Sequence, residues 1–159
     1  MAYLVDGNNF IGHTSPYDIR DPRNKYSLIA KLLIFNKIQK AKIIVVFDGP
    51  PDPEITDQNF PAKSLTVLFP DEGQNADLII KDILSRRARE RRFYVVSSDR
   101  EIKDFARKKG IKPLTCEKFN KQLKDVLKEN KKVKEMDKDS HFPSPLEVNH
   151  WIDIFKKKR

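Results

Sequence analysis

Tyr3-Leu4-Val5-Asp6-Gly7-Asn8-Asn9-Phe10 decides how the chain is read. An apolar run, Tyr3 to Val5, crosses a core as a short strand and ends in a polar tip. Asp6 falls where that strand leaves the sheet, and Gly7 is read as allowing a tight turn that a side chain would obstruct. The pattern recurs twice. Ile43 to Phe47 ends in Asp48-Gly49, and Phe93 to Val96 ends in Ser97-Ser98-Asp99. Strands delivering acids at their carboxyl ends, if parallel, place those acids on one sheet edge, where open α/β sheets bind ligands.

Helical patterns separate the strands. Ser27 is read as the cap of a helix over Leu28 to Lys40. Further helices are expected from Asn75, with Ala76, Ile79, Ile80, Ile83 and Leu84 buried, after Asp99, and around Phe119, Leu123, Val126 and Leu127. Strands at Leu65 to Phe69 and Lys112 to Leu114 complete an α/β sandwich with five parallel strands and right-handed crossovers. Strand order 3-2-1-4-5 places Asp6 and Asp99 at the switch point, with Asp48 beside them. Two long segments hang from the same edge: Ile11 to Lys25, and the proline-rich Gly49 to Ser64, too rich in proline for a regular helix. Residues 1–130 are expected to form the domain, and 131–159 a charged linker with a terminal helix, Leu146 to Lys156, docking back on it.

The chain has 159 residues, a net charge of +9 and one cysteine, Cys116. The basic surplus favours a polyanion, nucleic acid first and an anionic membrane second. A lone cysteine excludes an internal disulfide and a cysteine zinc site and is compatible with a reducing cytosol. No apolar run is long enough for a transmembrane helix. The first strand starts at the second or third residue, so no signal or transit peptide is expected. The run Arg86 to Arg92 reads as a solvated helix end, with a nucleic-acid patch as the alternative.

Asp6, Asp48, Asp77 and Asp99 therefore converge. Each alone has a plain explanation, a helix cap or a dipole partner. Together they repel one another and raise each other's pKa unless a hard cation neutralises them. Oxygen ligands without His or Cys suit Mg²⁺ or Mn²⁺. Asn9 can orient a carboxylate or water, and Ser97 and Ser98 can do likewise, though strand-end serines more often bond to backbone. His13, His141 and His150 are read as loop or tail residues, His13 alone near enough to reach the site. Arg20, Arg23 and Lys25 in the first long segment, Lys63 in the second, and Arg100 beside Asp99 are the candidate RNA-binding residues. There is no G-x-G-x-x-G, P-loop or nucleophile elbow.

At Tyr3 to Asn9, Val46-Phe47-Asp48-Gly49, Asn75-Ala76-Asp77 and Val96 to Glu101 the chain resembles the YacP-type branch of the NYN domain family, among the PIN-like nucleases. The stretch Leu146 to Phe155 is similar to that branch's C-terminal element. The resemblance implies a three-layer PIN-like, Rossmann-like sandwich around a mostly parallel five-stranded sheet. It implies a metal-dependent endoribonuclease acting on single-stranded RNA, with mRNA cleaved in association with the ribosome and a cytoplasmic location. By position, Asp6, Asn9, Asp48, Asp77 and Asp99 form the site, with Asp6, Asp77 and Asp99 as metal ligands and Asp104 as a further candidate. The family's first motif more often carries an aromatic where this chain has Asn8, and its helix-start motif often has a second acid where this chain has Leu78. The competing expectations are a non-catalytic RNA- or ribosome-binding module with a vestigial acidic site, and a receiver-like phosphoacceptor domain. The latter needs a lysine at the strand end near Leu114, and none stands there.

Overall fold

The computed structural model describes residues 1–14, 22–56 and 65–136. Five strands, β1 (Ala2–Asp6), β2 (Lys42–Val46), β3 (Leu65–Leu68), β4 (Phe93–Val96) and β5 (Lys112–Leu114), form one sheet in the order β3-β2-β1-β4-β5. Every neighbouring pair is parallel. This is the expected α/β architecture and order. Pro113 can sit in β5 because β5 is an edge, where a missing backbone donor leaves few bonds unmade.

Side-chain alternation along β1 assigns the two helical layers. Tyr3 and Val5 join Ile43 and Val45 in a core closed by α1 (Gly7–Thr14), α2 (Pro22–Gln39) and α6 (Cys116–Met136). Ala2 and Leu4 join Phe93 and Val95 beneath α4 (Ala76–Arg86) and α5 (Arg100–Lys108). Strands covered on both faces read as continuous apolar runs, which is why these were visible in the sequence. On the first face Tyr3 touches Phe35 and Phe119, with ring centroids 5.6 and 5.1 Å apart.

Three expectations change. The chain does not turn into a loop after Asp6; it enters α1 directly, and the Asn9 backbone N–H donates to the Asp6 carboxylate as at a helix cap. Gly7 is therefore required by close packing, not by a turn. A Cβ there would lie 2.6 Å from two ring carbons of Phe47 and 3.0 Å from the Val46 carbonyl oxygen. Second, α2 starts at Pro22, so Ser27 lies inside it and does not cap it. Proline fits a first helical turn, where its missing N–H would have no intrahelical partner. Third, the proline-rich segment contains one helical turn, α3 (Pro53–Thr56), whose Ile55 is buried. The helix α6 extends to Met136. The expected terminal helix, Leu146 to Lys156, lies outside the described residues.

Candidate active site at the carboxyl edge of the sheet

The carboxyl ends of β1, β2 and β4 and the starts of α1, α4 and α5 enclose an open cleft of ≈ 350 Å³. Asp6, Asp48, Asp77 and Asp99 all line it, with Asn8, Asn9 and His13 from α1. Asp6 is its buried floor, 5% exposed, whereas Asp48 stands at the rim.

Local helix chemistry fixes most of these side chains. Asp99 caps α5, its Oδ1 accepting from the N–H groups of Glu101 (2.8 Å) and Ile102 (3.2 Å). Asn75 caps α4, accepting from Leu78 N–H at 3.1 Å, which leaves Asp77 in the first turn facing the cleft. Asp48 Oδ1 accepts from Gly49 N–H at 3.1 Å and from Ala76 N–H at 3.3 Å, tying β2 to the start of α4. The capping role and the cleft position are thus properties of the same residues.

Two consecutive asparagines join the strand ends. Asn8 Oδ1 accepts from the Asp48 backbone N–H at 2.9 Å. Asn9 Oδ1 accepts from Ser98 N–H at 2.8 Å and from Cys116 Sγ at 3.2 Å. Ser97 is fully buried; its Oγ donates to Asp6 Oδ2 at 3.1 Å and accepts from Asp99 N–H at 3.1 Å. Ser98 Oγ donates to Glu117 Oε2 at 3.2 Å and accepts from Cys116 N–H at 3.0 Å. These serines bond to side chains and backbone together.

The carboxylates sense one another. Burial pushes the Asp6 carboxyl up to about 6, the charges of Asp77 and Asp99 add to the rise, and Ser97 and the Asn9 N–H oppose it. Asp77 is also raised, by burial first and then by Asp99, with Glu101 and Asp48 contributing and Lys81 opposing. Even so, among the described residues no three His, Cys, Asp or Glu side chains stand close enough to hold one metal ion. The acids converge on one cleft without forming a preassembled three-ligand cage.

The expected RNA contacts are dispersed. Arg20 and Lys63 lie outside the described residues. Arg23 is exposed on α2, and Arg100 is exposed at the start of α5, its Nε 4.0 Å from Asp104 Oδ2. Lys25 is half-buried, its Nζ 5.6 Å from the Phe47 ring centroid and 5.8 Å from that of Phe69. Asp104 does not line the cleft; it pairs with Arg107 at 2.9 Å.

His13 lies closer to the site than its loop-like sequence context indicates. It is a helical residue on the cleft wall, its Nδ1 3.3 Å from Glu117 Oε1. The signal was its spacing of four from Asn9, one helical turn, but two glycines and two asparagines disguised α1 as a loop. Glu117, which orients His13 and accepts from Ser98, carried no signal, because its partners lie on other elements.

No curated protein matches the chain. Its fold is similar to the crystal structure of Rae1 (YacP) from Bacillus subtilis, with 19% identity, a TM-score of 0.71, and 99% of this chain and 93% of that chain covered. A tryptophan-to-leucine mutant of the same Bacillus subtilis protein gives 18% identity and a TM-score of 0.70, covering 97% of this chain and 91% of that chain. The model of the YacP-like NYN domain matches residues 3–152. The chain belongs to the YacP-like NYN domain family, a family of PIN-like nucleases.

Proposed function

We propose that this protein is a metal-dependent endoribonuclease that cuts single-stranded RNA, with mRNA at the ribosome as its target in the cytoplasm. One observation carries the reading: Asp6, Asp48, Asp77 and Asp99, brought from four places in a basic chain, line a single cleft.

The donor set fits Mg²⁺ or Mn²⁺. It offers oxygen and no thiolate, and Mg²⁺ is commonly held by one or two carboxylates together with substrate phosphates and water. A three-carboxylate cage is therefore not required. Asp6, Asp77 and Asp99 are the proposed ligand set, one or two of them binding the ion directly and the remainder through its water. A bound divalent cation supplies charge stabilisation at the phosphoryl oxygens and lowers the pKa of water. Asp6 is held by Ser97 and the Asn9 N–H, so its carboxylate presents one fixed orientation. Asn9 locks β4 to α1 and so sets the position of Asp99. Asp48 adds negative charge at the rim. Arg20, Arg23, Lys25, Lys63 and Arg100 are proposed to hold the RNA strand by its phosphates.

The test is incubation of a labelled single-stranded RNA and of ribosome-bound mRNA with Mg²⁺, with Mn²⁺ and with chelator, followed by end mapping. Internal cuts that need the cation and vanish in Asp99→Asn are expected. Undiminished cutting by a folded Asp99→Asn protein overturns the catalytic assignment. A second reading, an RNA- or ribosome-binding module with a vestigial site, is favoured by the absence, among the described residues, of three ligand side chains grouped for one ion. It is distinguished by RNA binding that survives Asp99→Asn with no cation-dependent cutting in the parent.

A further inference from the structure

The acidic cleft is rich in groups that accept a proton and poor in groups that give one. Its four aspartates are acceptors when ionised, and the side-chain oxygens of Asn8 and Asn9 are committed to backbone N–H groups. Among the described residues, no lysine or arginine lines it. Cleavage of a phosphodiester also needs a proton, because the ribose oxygen that leaves phosphorus is strongly basic and general acids assist such departures. Histidine is the side chain whose ordinary charge change falls near neutral pH, and His13 lines the cleft. Asp6, at about 6, is the other group in that range, and it is assigned to the cation.

The neighbours of His13 hold it by one nitrogen. Nδ1 lies 3.3 Å from Glu117 Oε1, in the first turn of α6. Glu117 Oε2 accepts from Ser98 Oγ at 3.2 Å, and Ser98 Oγ accepts from Cys116 N–H at 3.0 Å. The Ser98 N–H donates to Asn9 Oδ1 at 2.8 Å, and Asn9 precedes His13 by one turn of α1. These bonds close a ring through α1, the end of β4 and the start of α6. The Glu117 carboxyl is held below its ordinary range by its own backbone N–H first, with Ser98 and His13 adding and burial opposing, so it stays an anion. A carboxylate on the Nδ1 side fixes the imidazole and leaves Nε2 for a reacting group. Among the described residues Nε2 has no hydrogen-bond partner, and the side chain is 44% exposed.

We propose that His13 is the proton donor to the leaving oxygen of the RNA, with Glu117 as its positioning residue. The step rests on the hydrolytic reading given above. Water adds to phosphorus, and the bond from phosphorus to the leaving ribose oxygen breaks with its electron pair going to that oxygen. The Nε2 proton passes to the oxygen and makes the free hydroxyl end. The proton released by the water goes to solvent, and solvent reprotonates the imidazole. One phosphodiester and one water thus give one hydroxyl end and one phosphate end. The other cleft groups that face this step are the carboxylates of Asp6 from β1, Asp48 beyond β2, Asp77 from α4 and Asp99 at the start of α5.

The experiment uses the full chain and two single-stranded RNAs of one sequence. In the second, sulfur replaces the oxygen that end mapping identifies as leaving; sulfur departs as a thiolate and needs no proton. Single-turnover rates at saturating protein are measured with Mn²⁺ for the parent, His13→Ala and Glu117→Gln, beside affinity for uncut RNA in chelator and the melting temperature. His13→Ala is expected to cut the oxygen RNA on the order of 100-fold more slowly and the sulfur RNA within about threefold of the parent. Glu117→Gln is expected to lose less, again on the oxygen RNA alone. Affinity and melting temperature stay at parent values, because an exposed ion pair contributes little to stability. Equal losses of His13→Ala on both RNAs overturn the proton assignment and leave the cleavage reading standing. So does a parent-like rate on the oxygen RNA, or weakened affinity for uncut RNA, which makes His13 a phosphate contact. A parent that cuts neither RNA overturns the cleavage reading itself and this step with it.

Discussion

Ser97 Oγ stands 3.1 Å from Asp6 Oδ2, a bond that links residues 91 apart in the chain and is fully buried at the serine. The same hydroxyl accepts from the Asp99 N–H, so one small side chain sets the spacing of two site acids. Ser97→Ala removes the donor and leaves the Asp6 carboxylate less compensated. A hydrogen bond to a charged group contributes roughly 1.5–3 kcal/mol, and a loss in that range is expected at neutral pH. The Asp6 titration moves above its present value of about 6. Carboxyl carbon NMR of the chelated protein checks this. An Asp6 titration unchanged by the substitution removes the serine from the electrostatics of the site.

Asp6 itself opposes folding when ionised. Its folded pKa of about 6 exceeds the ordinary 3.8, so the folded protein binds this proton more tightly than the unfolded chain. The destabilisation is absent below about pH 4, grows as pH rises through about 6, and is complete at pH 7. A two-unit shift corresponds to about 3 kcal/mol. Asp6→Asn in chelator is therefore expected to raise stability by about 1–3 kcal/mol at pH 7 and to leave it unchanged near pH 4, while cleavage is lost. Urea unfolding at both pH values decides; equal stabilities at pH 7 contradict the burial argument.

Asp99 behaves differently because it is a helix cap as well as a site acid. Asparagine is as good a cap as aspartate, and alanine is not. Asp99→Asn should keep its thermal stability, and Asp99→Ala should lose about 1 kcal/mol. Both should lose cleavage on the order of 100-fold or more if the charge acts on the reaction. Retained activity in Asp99→Asn alongside a loss in Asp99→Ala assigns the residue to α5 and not to chemistry.

Gly7→Ala tests the contact that allows α1 to start at the sheet edge. The new Cβ meets the Phe47 ring at 2.6 Å, and Phe47 is itself fully buried. Overpacking of this kind costs about 1–3 kcal/mol. Because α1 carries Asn8 and Asn9, cleavage should fall together with stability. Phe47→Leu in the Gly7→Ala background should recover part of both losses, read as non-additivity in a double-mutant cycle. Strict additivity places the strain elsewhere.

The sequence alone determined the sheet. β4 and β5 lie where the apolar runs place them, β2 and β3 differ by a residue at their ends, and the order is as read. The reason is local: strands buried on both faces must be apolar throughout, and right-handed crossovers leave few arrangements. The convergence of Asp6, Asp48, Asp77 and Asp99 followed, because parallel strands share a carboxyl edge. Only the tertiary structure decided what those acids do for the fold and what surrounds them. The helix α1 was hidden because Asn8, Asn9 and Gly12 are weak helix formers and its stability comes from Phe10 and Ile11 packing into the core. The Ser97 bond to Asp6 and the His13 pair with Glu117 each join residues far apart in the chain. No local pattern encodes such pairs; strand register and helix docking bring them together.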